Sequence, residues 1–198
     1  MAAAFKSQPA GVLPVLTERW SPRSFADVPV DAGALRRCFV AAGCAASAFN
    51  EQPWRFVVAE RAADPAGWER LFNCLVEANR VWAQAAPVLF VTVLAERFAK
   101  NGRANGTAAH DLGLAMGNFS AQATHEGLQL HQMAGIDADH AQEVLGVPEN
   151  FRPFTAVAVG HPGNPDTLPE GWMREAERAA RTRSEPGDFV FSGRFGRP

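Results

Sequence analysis

The chain contains no tyrosine, and only two lysines stand beside seventeen arginines. Without tyrosine, no mechanism here can use a phenolic acid. With arginine supplying nearly all the positive charge, a single arginine says little, and only paired or regularly spaced ones stand out. A net charge of −2 and a pI near 6.2 create no general basic field, so nucleic-acid binding would need a local patch that the sequence does not show. The three cysteines, Cys38, Cys44 and Cys74, lack CxxC spacing, and the histidines at 110, 125, 131, 140 and 161 show no pair with an adjacent carboxylate at metal-ligand spacing. Neither a disulfide framework nor a metal site is expected. No apolar run approaches the roughly 20 residues of a membrane-spanning helix. The first thirty residues do not read as a signal peptide, so the expectation is a soluble protein of the reducing cytoplasm. No Gly-x-Ser-x-Gly, P-loop or Gly-x-Gly-x-x-Gly occurs, which leaves no case for a serine hydrolase, a nucleoside triphosphatase or a Rossmann dehydrogenase.

What is present suits one domain over residues 1–198, since a 198-residue chain that is 47% hydrophobic can bury a sizeable core. Asp31 reads as the N-cap of a helix through Leu35, Cys38 and Phe39 that Gly43 ends. Residues 55–60 read as a strand, and residues 65–85 as one or two helices closed by Pro87. The valine-rich run 88–94 has the pattern of a central strand buried on both faces. A long helix from 108 to Gly127 is apolar nearly all round, so a second neighbour, such as another subunit, is expected against it. Asp137 reads as the cap of a short helix ending near Gly146, and residues 155–159 as a further strand. Residues 132–135 read as a turn. The polar, proline-rich tail then leads to Phe189-Val190-Phe191, a strand-like segment that needs something to pair with.

Two segments about thirty residues apart carry the chemistry. In Arg19-Trp20-Ser21-Pro22-Arg23, Pro22 disfavours helix at Ser21, so the stretch should run extended and point Arg19, Ser21 and Arg23 to one side. Two guanidinium forks with a hydroxyl between them suit a phosphate. In Ala46-Ser47-Ala48-Phe49-Asn50-Glu51-Gln52-Pro53-Trp54, the amides of Asn50 and Gln52 both donate and accept, as reading the edge of a heterocycle requires. The plainer alternatives are a solvated charged turn for the first segment and a strand-capping loop for the second.

Both segments resemble the FMN-dependent nitroreductase family, which carries Arg-x-Ser-x-Arg (or Lys) near its N-terminus and then Pro-Ser-x-x-Asn-x-Gln-Pro-Trp. The similarity extends to residues 133–137, residues 157–162 and the tail from 181 to 196, and so covers nearly the whole chain. It implies an α+β fold, a mostly antiparallel central sheet flanked by helices, in a homodimer with FMN at the interface. A C-terminal extension, residues 180–196, would reach the partner subunit and add a strand to its sheet. It further implies that Arg19, Trp20, Ser21 and Arg23 meet the FMN phosphate and ribityl chain, with Arg181 and Arg183 approaching the phosphate. Ala46, Ser47, Asn50 and Gln52 would lie near the ring of the flavin held mainly by the other subunit. Asn79 would supply another ring-contacting amide, or alternatively end a helix. Met133, Ala134 and Gly135 would form a turn beside the flavin.

The implied reaction takes hydride from NADH or NADPH and passes the electrons to a nitroaromatic, quinone or similar small acceptor. A specialised oxidase or dehalogenase on the same fold, or a non-catalytic FMN-binding protein, is the alternative. Two departures stand out. Ala46 replaces the usual proline, and Ala134 stands where well-known members carry glutamate.

Overall fold

The computed structural model describes Pro9 and residues 11–197. Four strands, β1 (Trp54–Glu60), β2 (Val88–Ala95), β3 (Gln129–Met133) and β4 (Phe151–Gly160), form one antiparallel sheet in the order β1-β2-β4-β3. Seven helices surround it among the described residues: α1 (Pro14–Glu18), α2 (Ala32–Gly43), α3 (Pro65–Asn73), α4 (Glu77–Ala83), α5 (Ala108–His125), α6 (Ala138–Val144) and α7 (Gly171–Arg178). The α+β expectation and the central place of β2 hold.

Because β2 is covered on both sides, its alternate residues feed two separate cores. Val88, Phe90 and Leu94 pack with Leu35 and Cys38 of α2 and with Leu112, Met116 and Phe119 of α5. Leu89, Val91 and Val93 pack on the opposite face with Trp68, Leu71, Trp82 and Met173. Thr92 is the polar exception in the run. Its hydroxyl lies 2.7 Å from that of Thr155, beside a register shift between Thr92 and Val93. An aromatic cluster of Phe39, Phe56, Phe90 and Phe119, with centroids 5.0 to 5.8 Å apart, fixes α2 and α5 on the sheet.

The helix starts follow their caps. Asp31 accepts from Ala34 N at 2.7 Å, Asp64 from Gly67 N at 2.8 Å and Asp137 from His140 N at 3.0 Å. Gly127, at φ +74°, turns the chain out of α5 and into β3, a conformation that favours glycine.

Two elements differ from the sequence reading, and a third is described by its place in this chain. Gln132 and Met133 belong to β3 and not to a turn, since Gln129–Met133 pairs with β4. The strand is short and carries glutamine and histidine, so its own residues declare it weakly. The polar tail contains α7, which buries Met173 and Glu177 one turn apart. Residues 189–191 form no strand within this chain. They follow a single 3₁₀ turn, Pro186–Asp188, and leave Phe189 and Val190 exposed.

Among the described residues no helix is long and apolar enough to cross a membrane, and no group of His, Cys, Asp or Glu is placed to hold a metal ion.

Candidate functional site

After α1 the chain runs without regular structure until Phe25 bridges to Pro162. Polar side chains of β3 hold this stretch by its backbone. Gln129 Oε1 accepts from Trp20 N at 3.0 Å, and His131 Nδ1 donates to the Pro22 carbonyl at 3.0 Å. The His131 ring also packs on Trp82, centroids 4.5 Å apart. Burial, reinforced by the charges of Arg23 and Arg19, pushes its pKa down to about 4. The imidazole is therefore neutral near pH 7, with its hydrogen on the nitrogen that faces Pro22.

The expected comb is built in part. Arg19 Nη1 donates to Ser21 Oγ at 3.2 Å, so these two side chains share a side. Arg23 turns away, its guanidinium carbon 5.2 Å from the centre of the Trp172 ring on α7. Its backbone N–H donates to Glu177 Oε1 at 2.5 Å. Glu177 is only 3% exposed, its Oε2 has no hydrogen-bond partner among the described residues, and burial pushes its pKa up. The indole of Trp20 is buried and its backbone N–H is held by Gln129, so Trp20 serves as a wedge under the segment.

The C-terminal pair returns to this place from some 160 residues away. Arg181 donates through Nη2 to the Thr17 carbonyl at 2.6 Å, and through Nη1 to the Arg19 carbonyl. Burial and the charge of Arg183 lower the pKa of Arg19; burial and the charges of Arg19 and Arg183 lower that of Arg181. The Arg181 guanidinium is thus held against the Arg19 backbone, and Arg183 lines the same cleft as Arg181. The cleft measures about 600 Å³ and is lined by Thr17, Arg181, Thr182, Arg183, Ser184 and Phe189 among others.

The second segment is a strained loop. Phe49, Asn50 and Gln52 all have positive φ, at 53°, 57° and 50°, which non-glycine residues adopt at a cost. Hydrogen bonds hold it there. Ser47 Oγ accepts from Gln52 N at 3.0 Å, and the Gln52 amide donates to Asn50 Oδ1 at 3.2 Å. Asp111, buried on α5, accepts from Ala48 N at 3.1 Å and from the Thr107 hydroxyl at 3.2 Å. Asp111 is thus an anchor for the loop. Ala46, Asn50 and Gln52 are exposed, with the Gln52 amide bonded to Asn50 within the loop. Asp111→Ala should lower stability by about 1–2 kcal/mol, because it leaves the Ala48 N–H without its acceptor, whereas the Thr107 hydroxyl keeps Asn105 Oδ1 at 2.9 Å. Urea unfolding reads this, and a change below about 0.5 kcal/mol would contradict the anchor.

Asn79 and Gly135 meet. Asn79 Nδ2 donates to the Gly135 carbonyl at 3.0 Å, and Val76 N to the same oxygen at 3.2 Å. A Cβ on Gly135 would lie 2.6 Å from Asn79 Nδ2 and 2.7 Å from Val76 Cγ2, so the glycine permits this close approach. The side chain of Met133 is buried in the core and Ala134 is exposed.

Sequence reading overlooked Gln129, Glu177 and Trp172, and weighed His131 only as a metal ligand. Met173 and Glu177 lie four apart on a helix within a charged tail, a faint signal that one face is buried. Nothing in sequence connects Gln129 or His131 to residues 20–22, which are more than one hundred positions away.

The pattern of the Nitroreductase family matches residues 16–161. This chain belongs to the nitroreductase family. Among solved structures, one described as an oxidoreductase containing FMN is 31% identical, with a TM-score of 0.88 over 97% of this chain and 96% of its own. A Streptomyces coelicolor protein provisionally named NADH dehydrogenase/NAD(P)H nitroreductase is 28% identical over 170 residues, 76% of this chain and 83% of its own length. An uncharacterised 15.4 kDa protein of Mycolicibacterium smegmatis is 33% identical over 124 residues, 63% of this chain and 82% of its own. Like this chain, nitroreductases combine an antiparallel sheet with flanking helices, as the FMN-dependent NfnB of Mycobacterium smegmatis does at 18% identity and a TM-score of 0.69.

Proposed function

We propose that this nitroreductase is an FMN-dependent oxidoreductase that uses NADH or NADPH to reduce nitroaromatic, quinone or similar electron-poor compounds, working as a homodimer. The observation that carries the reading is that Arg181 is bonded to the Arg19 and Thr17 carbonyls beside a cleft that Arg181 and Arg183 both line, which brings the three arginines to one place. A phosphate monoester placed among them would relieve their mutual repulsion and meet planar donor forks. The FMN-containing relative at 31% identity and the S. coelicolor protein named for NAD(P)H support the choice of cofactor and of reductant.

FMN, when bound, supplies the two-electron chemistry that no amino-acid side chain offers. The chain would bind and orient it. Arg19 and Ser21 would take phosphate oxygens, with Arg23 swinging from Trp172 to join them and Arg183 closing the charge. Asn50 and Gln52 would read the ring edge of the flavin in the partner subunit, while Asn79, Ala134 and Gly135 would line the ring in their own. Glu177 and His131 would hold the backbone from which the arginines reach. No side chain is nominated as a proton donor; solvent would fill that role.

Two features support the dimer. Gly113, Leu114, Gly117 and Asn118 leave one face of α5 exposed, and a groove of about 810 Å³ runs between α5 and α2, lined by Asn118, Ala121 and Gln122 on one side and Val40 and Ala41 on the other. The exposed Phe189, Val190 and Phe195 in residues 180–196 are available to a neighbouring subunit.

The purified protein should be yellow, sediment as a dimer and oxidise NADH or NADPH with menadione or a nitrofuran. A colourless protein that ignores added FMN would sink the flavin reading, and a yellow one inert toward both nicotinamides would sink the reductase.

A further inference from the structure

A cleft of about 600 Å³ lies between the strained loop and the segment that follows β2, and its lining is both aromatic and basic. Phe49 and Phe98 meet edge to face at one side, centroids 5.9 Å apart. Lys100, Asn101 and Arg103 form the other, with Glu51 between them. Phe49 is 92% exposed and held at φ +53°, so the fold spends backbone strain to present an apolar ring to solvent.

The basic side is an ordered turn. Phe98 N donates to the Arg103 carbonyl at 2.8 Å, Gly102 N to the Phe98 carbonyl at 2.8 Å, and Arg97 Nη1 to the Gly102 carbonyl at 3.0 Å, with Gly102 at φ +67°. Ala99 N donates to Glu51 Oε1 at 2.6 Å and ties this turn to the Phe49 loop. One Glu51 oxygen is thus engaged by backbone, and its single negative charge stands against the two positive charges of Lys100 and Arg103 in the lining. Neither Lys100 nor Arg103 has an ion pair among the described residues. Lys100 is also one of only two lysines in the chain.

We infer that this cleft selects the electron acceptor, taking a flat aromatic ring against Phe49 and Phe98 and an anionic substituent on Lys100 and Arg103. The inference rests on the flavin reading, because Phe49 sits between Ser47 and the Asn50 and Gln52 amides assigned to the ring edge. An acceptor stacked on Phe49 would therefore lie beside the redox centre, with its carboxylate pointing outward to the two cations. Aromatic carboxylates such as nitrobenzoates fit this arrangement, and uncharged analogues lose the cationic half of it.

Isothermal titration of the oxidised protein with 4-nitrobenzoate and with 4-nitrobenzamide tests the site without turnover. The carboxylate should bind about fivefold or more tightly than the amide, a moderate ratio because both cations face solvent. Lys100→Ala with Arg103→Ala should erase that preference and raise KM for 4-nitrobenzoate equally, while KM for menadione and FMN content stay unchanged. Phe98→Ala should weaken both benzoate and benzamide. Equal binding of the two probes by the unaltered protein overturns the inference, as does a double variant that still prefers the acid. A KM increase confined to NADPH, with 4-nitrobenzoate binding intact, assigns the cations to the reductant and likewise overturns it. If no acceptor is reduced yet the acid is still preferred, the reductase reading fails and the anion site stands.

Discussion

Arg19→Ala should weaken FMN binding by about 1.5–3 kcal/mol, the worth of hydrogen bonds to a charged group. Arg181→Ala should weaken it comparably, by a different route. Arg181 donates to the Thr17 and Arg19 carbonyls, so it fixes the end of α1 and the backbone from which Arg19 projects. The two side chains act partly as one device, and the double variant should lose about 1 kcal/mol less than the sum of the single losses. Fluorescence quenching of FMN titrated with apoprotein measures all three affinities. Unchanged affinity in both single variants would refute the phosphate site. Strict additivity would show that Arg181 acts on the ligand directly and not through Arg19. Arg23→Ala offers a contrast, because Arg23 must first leave Trp172 before it can meet the phosphate.

Acid should destabilise the protein through His131, by up to about 3 kcal/mol between pH 6.5 and pH 4. The folded pKa is depressed to about 4, whereas the unfolded chain titrates near the ordinary value of 6.5. Above pH 6.5 both states hold a neutral imidazole and no pH dependence arises from it. As pH falls through that window the unfolded chain takes up a proton that the folded state refuses, so stability declines until pH 4. Other groups act elsewhere or in the opposite sense. Glu126, held down to about 2 by Arg37 and Gln122, loses its contribution only between its ordinary 4.5 and that value. Glu177, raised by burial, favours the folded state as acid is added. Urea midpoints between pH 7.5 and 4 should therefore slope in the unaltered protein and flatten in His131→Asn. Equal slopes in the two proteins would count against a neutral, buried His131.

Much of the fold was legible because local chemistry announces it. The capping aspartates at 31 and 137 mark their helix starts in sequence and in structure, since a cap acts within three residues. The valine run of β2 declares a doubly covered strand for the same local reason. The strand at Gln129–Met133 was illegible, because its glutamine and histidine are there to hold residues 20–22 and not to favour extended chain. Likewise α7 lies in a charged tail whose only buried carboxylate, Glu177, serves the Arg23 backbone 154 positions earlier.

The site divides along the same line. Sequence alone determined the chemical types: an arginine and hydroxyl motif, an amide loop and a permissive glycine, each readable because spacing along an extended chain or a turn sets which side chains can act together. Only the tertiary structure decided that Arg181 and Arg183 converge on Arg19, that Arg23 rests on Trp172, and that the amide loop is strained and anchored by Asp111. Those outcomes depend on how the sheet closes distances of 60 to 160 residues, and short-range spacing carries no information about packing across such separations.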